Sequence, residues 1–405
     1  MKKRIILLAN TCPYGGEVFL QNELSWKPSE YEVILYPIFA KTDKISKACL
    51  NSNIEVRILP EQWTIFSKIV AGLSSIRMLI TTGEYIEALS KPKGLRNLFK
   101  AFKFAFISEL RLEVIRHQLH TEKDQGEGFL FYSYWMYETS YVAAKLKESF
   151  PNSVFVSRCH GFDLYEIRHP NGYLPFRNYL MNTVDNIFMI SEDGRNYLDK
   201  LYTGKWSSKI KLSRLGTNDY GLNPDTKNEI PIIVSCSNLV DVKRVNRIVE
   251  GLAKIGFPIR WRHFGDGELR DQLEKEAQKL PAHIDWKFMG SLPNKELMQY
   301  YKEHHIDAFI NVSSSEGVPV SIMEGLSFGI PIIATDVGGT HEIVFDRENG
   351  ILLPSDFTDQ EFLRALNYVF SRNTILRKKA RETWSQVCNA GSCYGAFYKE
   401  LMKFL

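Results

Sequence analysis

Short β-branched runs alternate with helix-patterned stretches along almost the whole chain, and this alternation restricts the fold more than any other feature. A strand that is followed each time by a helix cannot pair as a hairpin. It returns through a crossover, which gives a parallel sheet with helices on both faces, an α/β fold. Strand candidates in the first half lie at 4–9, 31–36, 128–132, 154–158 and 186–190. In the second half they lie at 231–236, 259–264, 284–289, 308–312, 331–334 and 350–353. A chain of 405 residues is long enough for two such domains. Between the two sets, Leu222-Asn-Pro-Asp-Thr-Lys-Asn-Glu-Ile-Pro231 is polar and turn-rich, so the hinge is placed at 216–230.

With 44% hydrophobic and 24% charged residues the chain reads as a soluble globular protein. No apolar run approaches the length of a membrane span. The start, Met1-Lys-Lys-Arg-Ile-Ile-Leu-Leu-Ala9, imitates an export signal, but its apolar core is five residues and Asn10 follows at once. A first buried strand explains it better. The six cysteines, at 12, 49, 159, 236, 388 and 393, show no C-x-x-C pair and no framework spacing. This predicts neither a metal site nor disulfides, and a reducing cytoplasm. A net charge of +4 is too small to point to nucleic acid. Its distribution is uneven, with nine cations between Lys68 and Arg116 against Glu84, Glu87, Glu109 and Glu113. In the stretch 95–107, Leu95, Leu98, Phe99, Phe102 and Phe106 recur at helical spacing with Lys100 and Lys103 toward the other side. Such a helix either lies on an anionic membrane, placing the protein at the inner face of the cell membrane, or faces the core with a solvated basic side.

Glu316-Gly-Val-Pro-Val-Ser-Ile-Met-Glu324 is the sharpest motif, with two carboxylates eight residues apart. Pro319 suits a first helical position, Gly329 the position past the end, and Pro331 prevents resumption, which predicts a helix over 319–328. Backbone N–H groups at Gly317 and Val318 and the helix dipole favour an anion at that end, formed with Pro319 and Val320. A diphosphate there, with a carboxylate on either side for sugar hydroxyls, fits a nucleotide-sugar site. The plainer reading is an ordinary strand-loop-helix with solvated glutamates. Other turns follow strand candidates in the same way: Gly15-Gly16, His160-Gly-Phe-Asp163, Asn238 to Lys243-Arg244, Gly265-Asp-Gly267 and Met289-Gly290-Ser291. The carboxyl ends of strands are where open parallel sheets place ligands.

The runs Ile306-Asp-Ala-Phe-Ile-Asn-Val-Ser-Ser-Ser-Glu-Gly-Val-Pro319 and Pro331-Ile-Ile-Ala-Thr-Asp-Val-Gly-Gly-Thr-His-Glu-Ile-Val344 resemble the donor-binding segment of family-4 retaining glycosyltransferases. The resemblance implies the GT-B architecture, two Rossmann-like doubly wound domains facing a central cleft. Residues 1–215 would form the acceptor-side domain, 231–387 the nucleotide-sugar domain, and 388–405 a helix crossing back to the first. It implies that His160 lies beside the donor sugar with Asp163 on the acceptor side, that Gly15 and Gly16 face the donor, and that Lys243 binds the donor phosphate. Glu316 would take sugar hydroxyls and Glu324 the ribose, with Gly265 and Gly290 in turns around the nucleotide. His160, Lys243 and Glu316 are thus the catalytic candidates. The chain departs from the family at Asn238, where an arginine is usual; Arg244 is expected to supply the missing charge. No Asp-x-Asp occurs, so no metal or other cofactor is expected.

The implied function is retaining transfer of a hexose-type sugar from a nucleotide-diphosphate sugar, UDP favoured, to a hydroxyl of a lipid-linked glycan in surface polysaccharide synthesis. Tyr132-Ser-Tyr-Trp135 and Cys159-His-Gly-Phe-Asp-Leu-Tyr165 carry the likeness to surface-polysaccharide enzymes. Two alternatives stay open: a nucleotide-sugar epimerase or phosphorylase of the same fold, and a non-catalytic glycan-recognition or partner subunit.

Overall fold

The computed structural model describes residues 3–12, 17–40, 54–121, 128–226 and 228–404. Gly15 and Gly16 lie outside the described residues. The chain divides into two compact units, one of residues 1–190, 194–213 and 396–405, the other of 191–193 and 214–395.

The first unit is built on a seven-stranded parallel sheet, in the order β3-β2-β1-β4-β5-β6-β7. Its strands are β1 Lys3–Ala9, β2 Tyr31–Pro37, β3 Ile54–Val56, β4 Leu130–Ser133, β5 Val154–Cys159, β6 Asn186–Met189 and β7 Ile210–Leu212. Ile6, Leu8, Phe131 and Phe155 are fully enclosed, as expected where helices cover both faces of a parallel sheet. The second unit has a six-stranded parallel sheet, in the order β10-β9-β8-β11-β12-β13. Its strands are β8 Ile232–Cys236, β9 Ile259–Phe264, β10 Ile284–Gly290, β11 Ala308–Asn311, β12 Ile332–Thr335 and β13 Gly350–Leu353. The strand order reverses between β1 and β4 in one sheet and between β8 and β11 in the other. Crossovers leave these points on opposite faces, and a crevice opens at the carboxyl ends there.

Every expected strand is present. β3 and β7 were not expected, because each is a three-residue edge strand too short to show a period. The expected hinge behaves differently. The described part of 216–230 belongs to the second unit and is tied into it. Thr217 N–H donates to the Cys388 carbonyl (2.9 Å) and accepts at its own carbonyl from Ala390 N–H (3.1 Å). The Asn223 side chain is buried, accepts from Ile306 N–H (2.9 Å) and donates to the His304 carbonyl (2.6 Å). Polar turn composition marks an irregular path, and here side-chain hydrogen bonds fix that path. The chain returns to the first unit only from Ala396, where Phe397 lies under the Arg158 guanidinium, 4.2 Å from ring to carbon, and against Tyr132.

The helix Gly94–Thr121 favours the core-facing one of the two readings of 95–107. Leu98 and Phe102 pack on the core of the first unit, Phe106 stacks on Phe102, and Lys100 donates to the Tyr173 carbonyl (2.7 Å). Only its first turns carry exposed apolar side chains, Leu95 and Phe99. The bulk of the stretch is a core-facing helix. No single helix among the described residues is long and apolar enough to cross a membrane.

Candidate functional site

In the second unit, the turn after β8 and the loop after β11 meet across the strand-order reversal. Asp241–Lys243 is a single 3-10 turn, and Lys243 Nζ reaches Glu316 Oε1 at 2.6 Å. Glu316 is buried, and the same oxygen accepts from Ser313 Oγ at 2.7 Å. The carboxylate is therefore oriented by two donors, one of them an ammonium that remains a quarter exposed, at 25%. Arg244 does not join them. It adopts a left-handed backbone at φ 47°, and its guanidinium donates to the carbonyls of Val312 (2.8 Å), Ser313 (3.1 Å) and Ser355 (2.7 Å). The structure thus makes Arg244 a brace for the loop that carries Glu316, in place of the phosphate ligand expected from the sequence. Asn238 is exposed just past β8.

The helix after Glu316 runs Val320–Ser327. Pro319 precedes it as the cap, at φ −72° and ψ 115°, one position earlier than expected. The far end closes as the sequence predicts. Gly329 takes φ 72°, its N–H donates to the Leu326 carbonyl (2.9 Å), and Ile330 N–H donates to that of Gly325 (3.0 Å). Among the described residues, the Gly317 and Val318 N–H groups find no protein acceptor. The loop is pressed from behind by Gly338 and Gly339. A Cβ on Gly338 would stand 1.9 Å from the Glu316 carbonyl oxygen, and Gly339 N–H donates to the Gly317 carbonyl at 2.7 Å. These paired glycines shape the site and were not among the expected residues. The reasoning applied to Gly15-Gly16, that adjacent glycines permit close backbone approach, would have found them.

Glu324 lies one turn further along the helix and is buried. Burial pushes its carboxyl up to about 7, and it accepts from Asn294 Nδ2 at 2.7 Å. Cys236, at the end of β8, feels both Glu324 and Lys243. Burial first, then the Glu324 charge, raise its thiol to about 12. Glu316 and Glu324 therefore face one neighbourhood in different states: one ion-paired, the other poised to ionise near neutral pH.

The turns after β9 and β10 close the same end of the sheet. Gly265 sits at φ 135°, a Cβ on it would lie 1.9 Å from the Ser237 carbonyl oxygen, and its N–H donates to the Gly290 carbonyl (2.9 Å). His263 is structural. Its Nε2 lies 3.1 Å from the Ser237 carbonyl, so it carries the proton, while Nδ1 accepts from Ser235 Oγ (2.8 Å). Burial holds it neutral, down to about 4.

The first unit repeats the logic at its own reversal point. Glu17, just before the helix Val18–Ser25 that follows β1, accepts from Trp135 Nε1 (2.5 Å) beyond β4 and from Thr11 N–H (3.2 Å). Burial raises its carboxyl. His160 follows β5, its ring 4.4 Å from that of Trp135 and 4.9 Å from that of Tyr134. Neither ring nitrogen has a hydrogen-bond partner among the described residues, although the side chain is only 8% exposed. Asp163 is fully buried, and its two oxygens accept from His160 N–H (2.6 Å) and Met136 N–H (2.5 Å). It cannot touch an acceptor. It fixes the His160 loop against the turn after β4, which corrects its expected acceptor-side place. A cavity of this unit lies elsewhere, among helices, and of its charged lining Arg116 pairs with Glu113 and Lys145 with Glu148 (2.6 Å).

Residues 223–386, which lie within the second unit, match the family model described as Glycosyl transferases group 1. The lipopolysaccharide core biosynthesis glycosyltransferase LpsE of Rhizobium meliloti is 28% identical over 163 residues, 39% of this chain and 46% of that protein. The putative colanic acid biosynthesis glycosyltransferase WcaL of Escherichia coli is 25% identical over 226 residues, 53% of this chain and 55% of its own length. The matched region thus spans about half of these relatives. The fold is that of solved GT-B structures. The lipopolysaccharide outer core galactosyltransferase WaaB superposes with a TM-score of 0.69 at 15% identity, covering 100% of both chains. HepE of Anabaena, in complex with UDP-glucose, gives 0.68 at 16% identity, covering 99% of each.

Proposed function

We propose that this chain transfers a hexose-type sugar from a nucleotide-diphosphate sugar to a hydroxyl of a lipid-linked glycan, with retention at the anomeric carbon. The observation that carries the reading is the placement of Lys243, Glu316 and Glu324 around one helix start at the β8/β11 reversal. A diphosphate there meets the Lys243 ammonium, the Gly317 and Val318 N–H groups and the positive end of the helix dipole. As the bond from sugar to phosphate breaks, these groups stabilise the charge that grows on the leaving phosphate, so no metal ion is required by this scheme. Glu316 is oriented to accept from sugar hydroxyls, and Glu324 from the ribose. The departing phosphate oxygen takes the proton of the attacking hydroxyl on the same face of the sugar, which gives retention. His160 offers a ring whose two nitrogens have no hydrogen-bond partner among the described residues, and we place it beside the sugar. UDP is the favoured nucleotide, and HepE, of the same fold, is a protein with UDP-glucose bound.

Asn238 favours a second reading. An uncharged, exposed residue after β8 leaves Lys243 to act without a neighbouring fixed cation, as a non-catalytic partner subunit would tolerate. One experiment separates the two. Nucleotide sugars are screened by thermal shift, and a stabilising donor is incubated with a lipid-linked acceptor. A product whose anomeric coupling matches the donor supports the proposal; an inverted product, or donor binding without product, overturns it.

A further inference from the structure

We infer that the helices Ile65–Thr81 and Glu84–Ser90 of the first unit rest on an anionic bilayer surface, with their outer side chains sunk to the boundary between headgroups and acyl chains. The inner side of the first helix, Ala71, Ser75, Met78 and Leu79, is buried against the unit. A surface helix of a water-soluble domain carries polar residues on its other side. Here that side is apolar as well: Phe66 is 74% exposed, Leu73 65% and Ile80 61%. Ile86 on the second helix and Leu95 at the start of the third, helices that both pack against the first, are exposed as well. So many exposed large apolar side chains on neighbouring helices mark an interaction surface.

Charge identifies the partner. The helix Ile65–Thr81 contains two charged residues, Lys68 and Arg77, and both are exposed cations. Lys93 and Arg96 flank Leu95 and are exposed too. Glu84 accepts from the buried Tyr173 hydroxyl and Glu87 lies 4.0 Å from Lys91, while Glu109 and Glu113, which share a cavity lining with Arg77, accept from Tyr141 and pair with Arg116, respectively. A second copy of the chain would set cation against cation across this face. An anionic bilayer complements both its apolar centre and its basic rim.

Geometry sets the depth. Seventeen helical residues extend about 25 Å, short of a hydrocarbon core of about 30 Å. At Thr82 and Gly83, the latter at φ 73°, the path turns by 73° into the second helix. The pair therefore lies in the plane of the interface. The element that meets the membrane is thus 65–90 and the first turn of the next helix, in place of 95–107.

The test is sedimentation of the full chain with vesicles of phosphatidylcholine alone and of phosphatidylcholine mixed equally with phosphatidylglycerol, at low and high salt. Binding to the mixed vesicles at low salt, released by high salt, is expected. Reversing Lys68 and Arg77 to Glu should weaken it by roughly 30-fold or more. Leu73→Gln with Ile76→Gln and Ile80→Gln should abolish it while leaving thermal unfolding unchanged, since these side chains are exposed. No binding by the parent chain, or binding that survives the triple substitution, overturns the inference. So does a solution dimer that the triple substitution dissociates, because it assigns the face to a second copy. No nucleotide sugar is present in the assay, so its failure leaves the transferase reading untouched.

Discussion

Lys243 Nζ lies 2.6 Å from Glu316 Oε1, so the cation read as a phosphate ligand and the carboxylate read as a sugar ligand form one ion pair. The two belong to loops 73 residues apart that follow the neighbouring strands β8 and β11. Substituting either residue also frees the other. Lys243→Ala leaves Glu316 held by Ser313 alone among strong partners, and Glu316→Gln releases Lys243.

Turnover should therefore fall by ~10²-fold or more in Lys243→Ala, as it does when a charge partner of the transition state is removed. Glu316→Gln should fall comparably, and the double variant should lose much less than the sum of the two. The check is a double-mutant cycle in kcat/KM, run with and without EDTA. Strict additivity, or activity that EDTA abolishes and manganese restores, contradicts the account.

Glu324→Gln should weaken binding of the nucleotide-sugar donor and of the free nucleotide diphosphate by about 1.5–3 kcal/mol, the range for hydrogen bonds to a charged group, with the fold retained. Burial pushes this carboxyl up to about 7, and in the proposed donor complex its ionised form accepts from the ribose hydroxyls more strongly than its neutral form. Donor affinity should thus rise as pH goes from 6 to 8, and the Gln variant should lose that slope. Calorimetric titration at several pH values decides it.

Burial raises Glu84, Glu138 and Glu324 to about 7 from an ordinary value of 4.5. A raised carboxyl binds its proton more tightly in the folded state. Its contribution to stability is complete below about 4.5 and is lost as pH climbs through about 7. Denaturant midpoints should decline over that window, and Glu84→Gln should flatten the decline in the first unit. A profile that rises from pH 5 to 8 and is unaffected by Glu84→Gln refutes this.

Arg158 Nε binds Glu23 Oε2 at 2.7 Å with both side chains fully buried, and Tyr132 donates to the other carboxylate oxygen at 2.7 Å. Arg158→Met strands a buried carboxylate and should destabilise the protein by about 3–5 kcal/mol. Adding Glu23→Leu should recover most of that loss, because the cost lies in the unpaired charge. Urea unfolding of the single and double variants measures it; equal losses in both would show that packing of Arg158 on Phe397 dominates.

What the sequence by itself determined is local and periodic. β-branched runs, the Pro319 and Gly329 punctuation and the glycine turns are readable because backbone preference is set by the residue and its near neighbours. That sufficed for eleven of the thirteen strands and for the helix of the Glu316 motif. Tertiary structure decided how each side chain is occupied. Arg244 and Asp163 look like ligands in sequence, yet their polar atoms are taken by carbonyls and N–H groups of other loops. Glu324 and Glu316 are the same residue type in one motif. They differ because one is enclosed beside an amide and the other is paired with Lys243. The apolar side of 65–81 is likewise invisible in a pattern that is apolar all round, since periodicity cannot tell a buried helix from one exposed on its outer face. Each of these outcomes depends on atoms brought together from distant parts of the chain, and burial, which sets the energy of every charge and apolar group, is defined only once they meet.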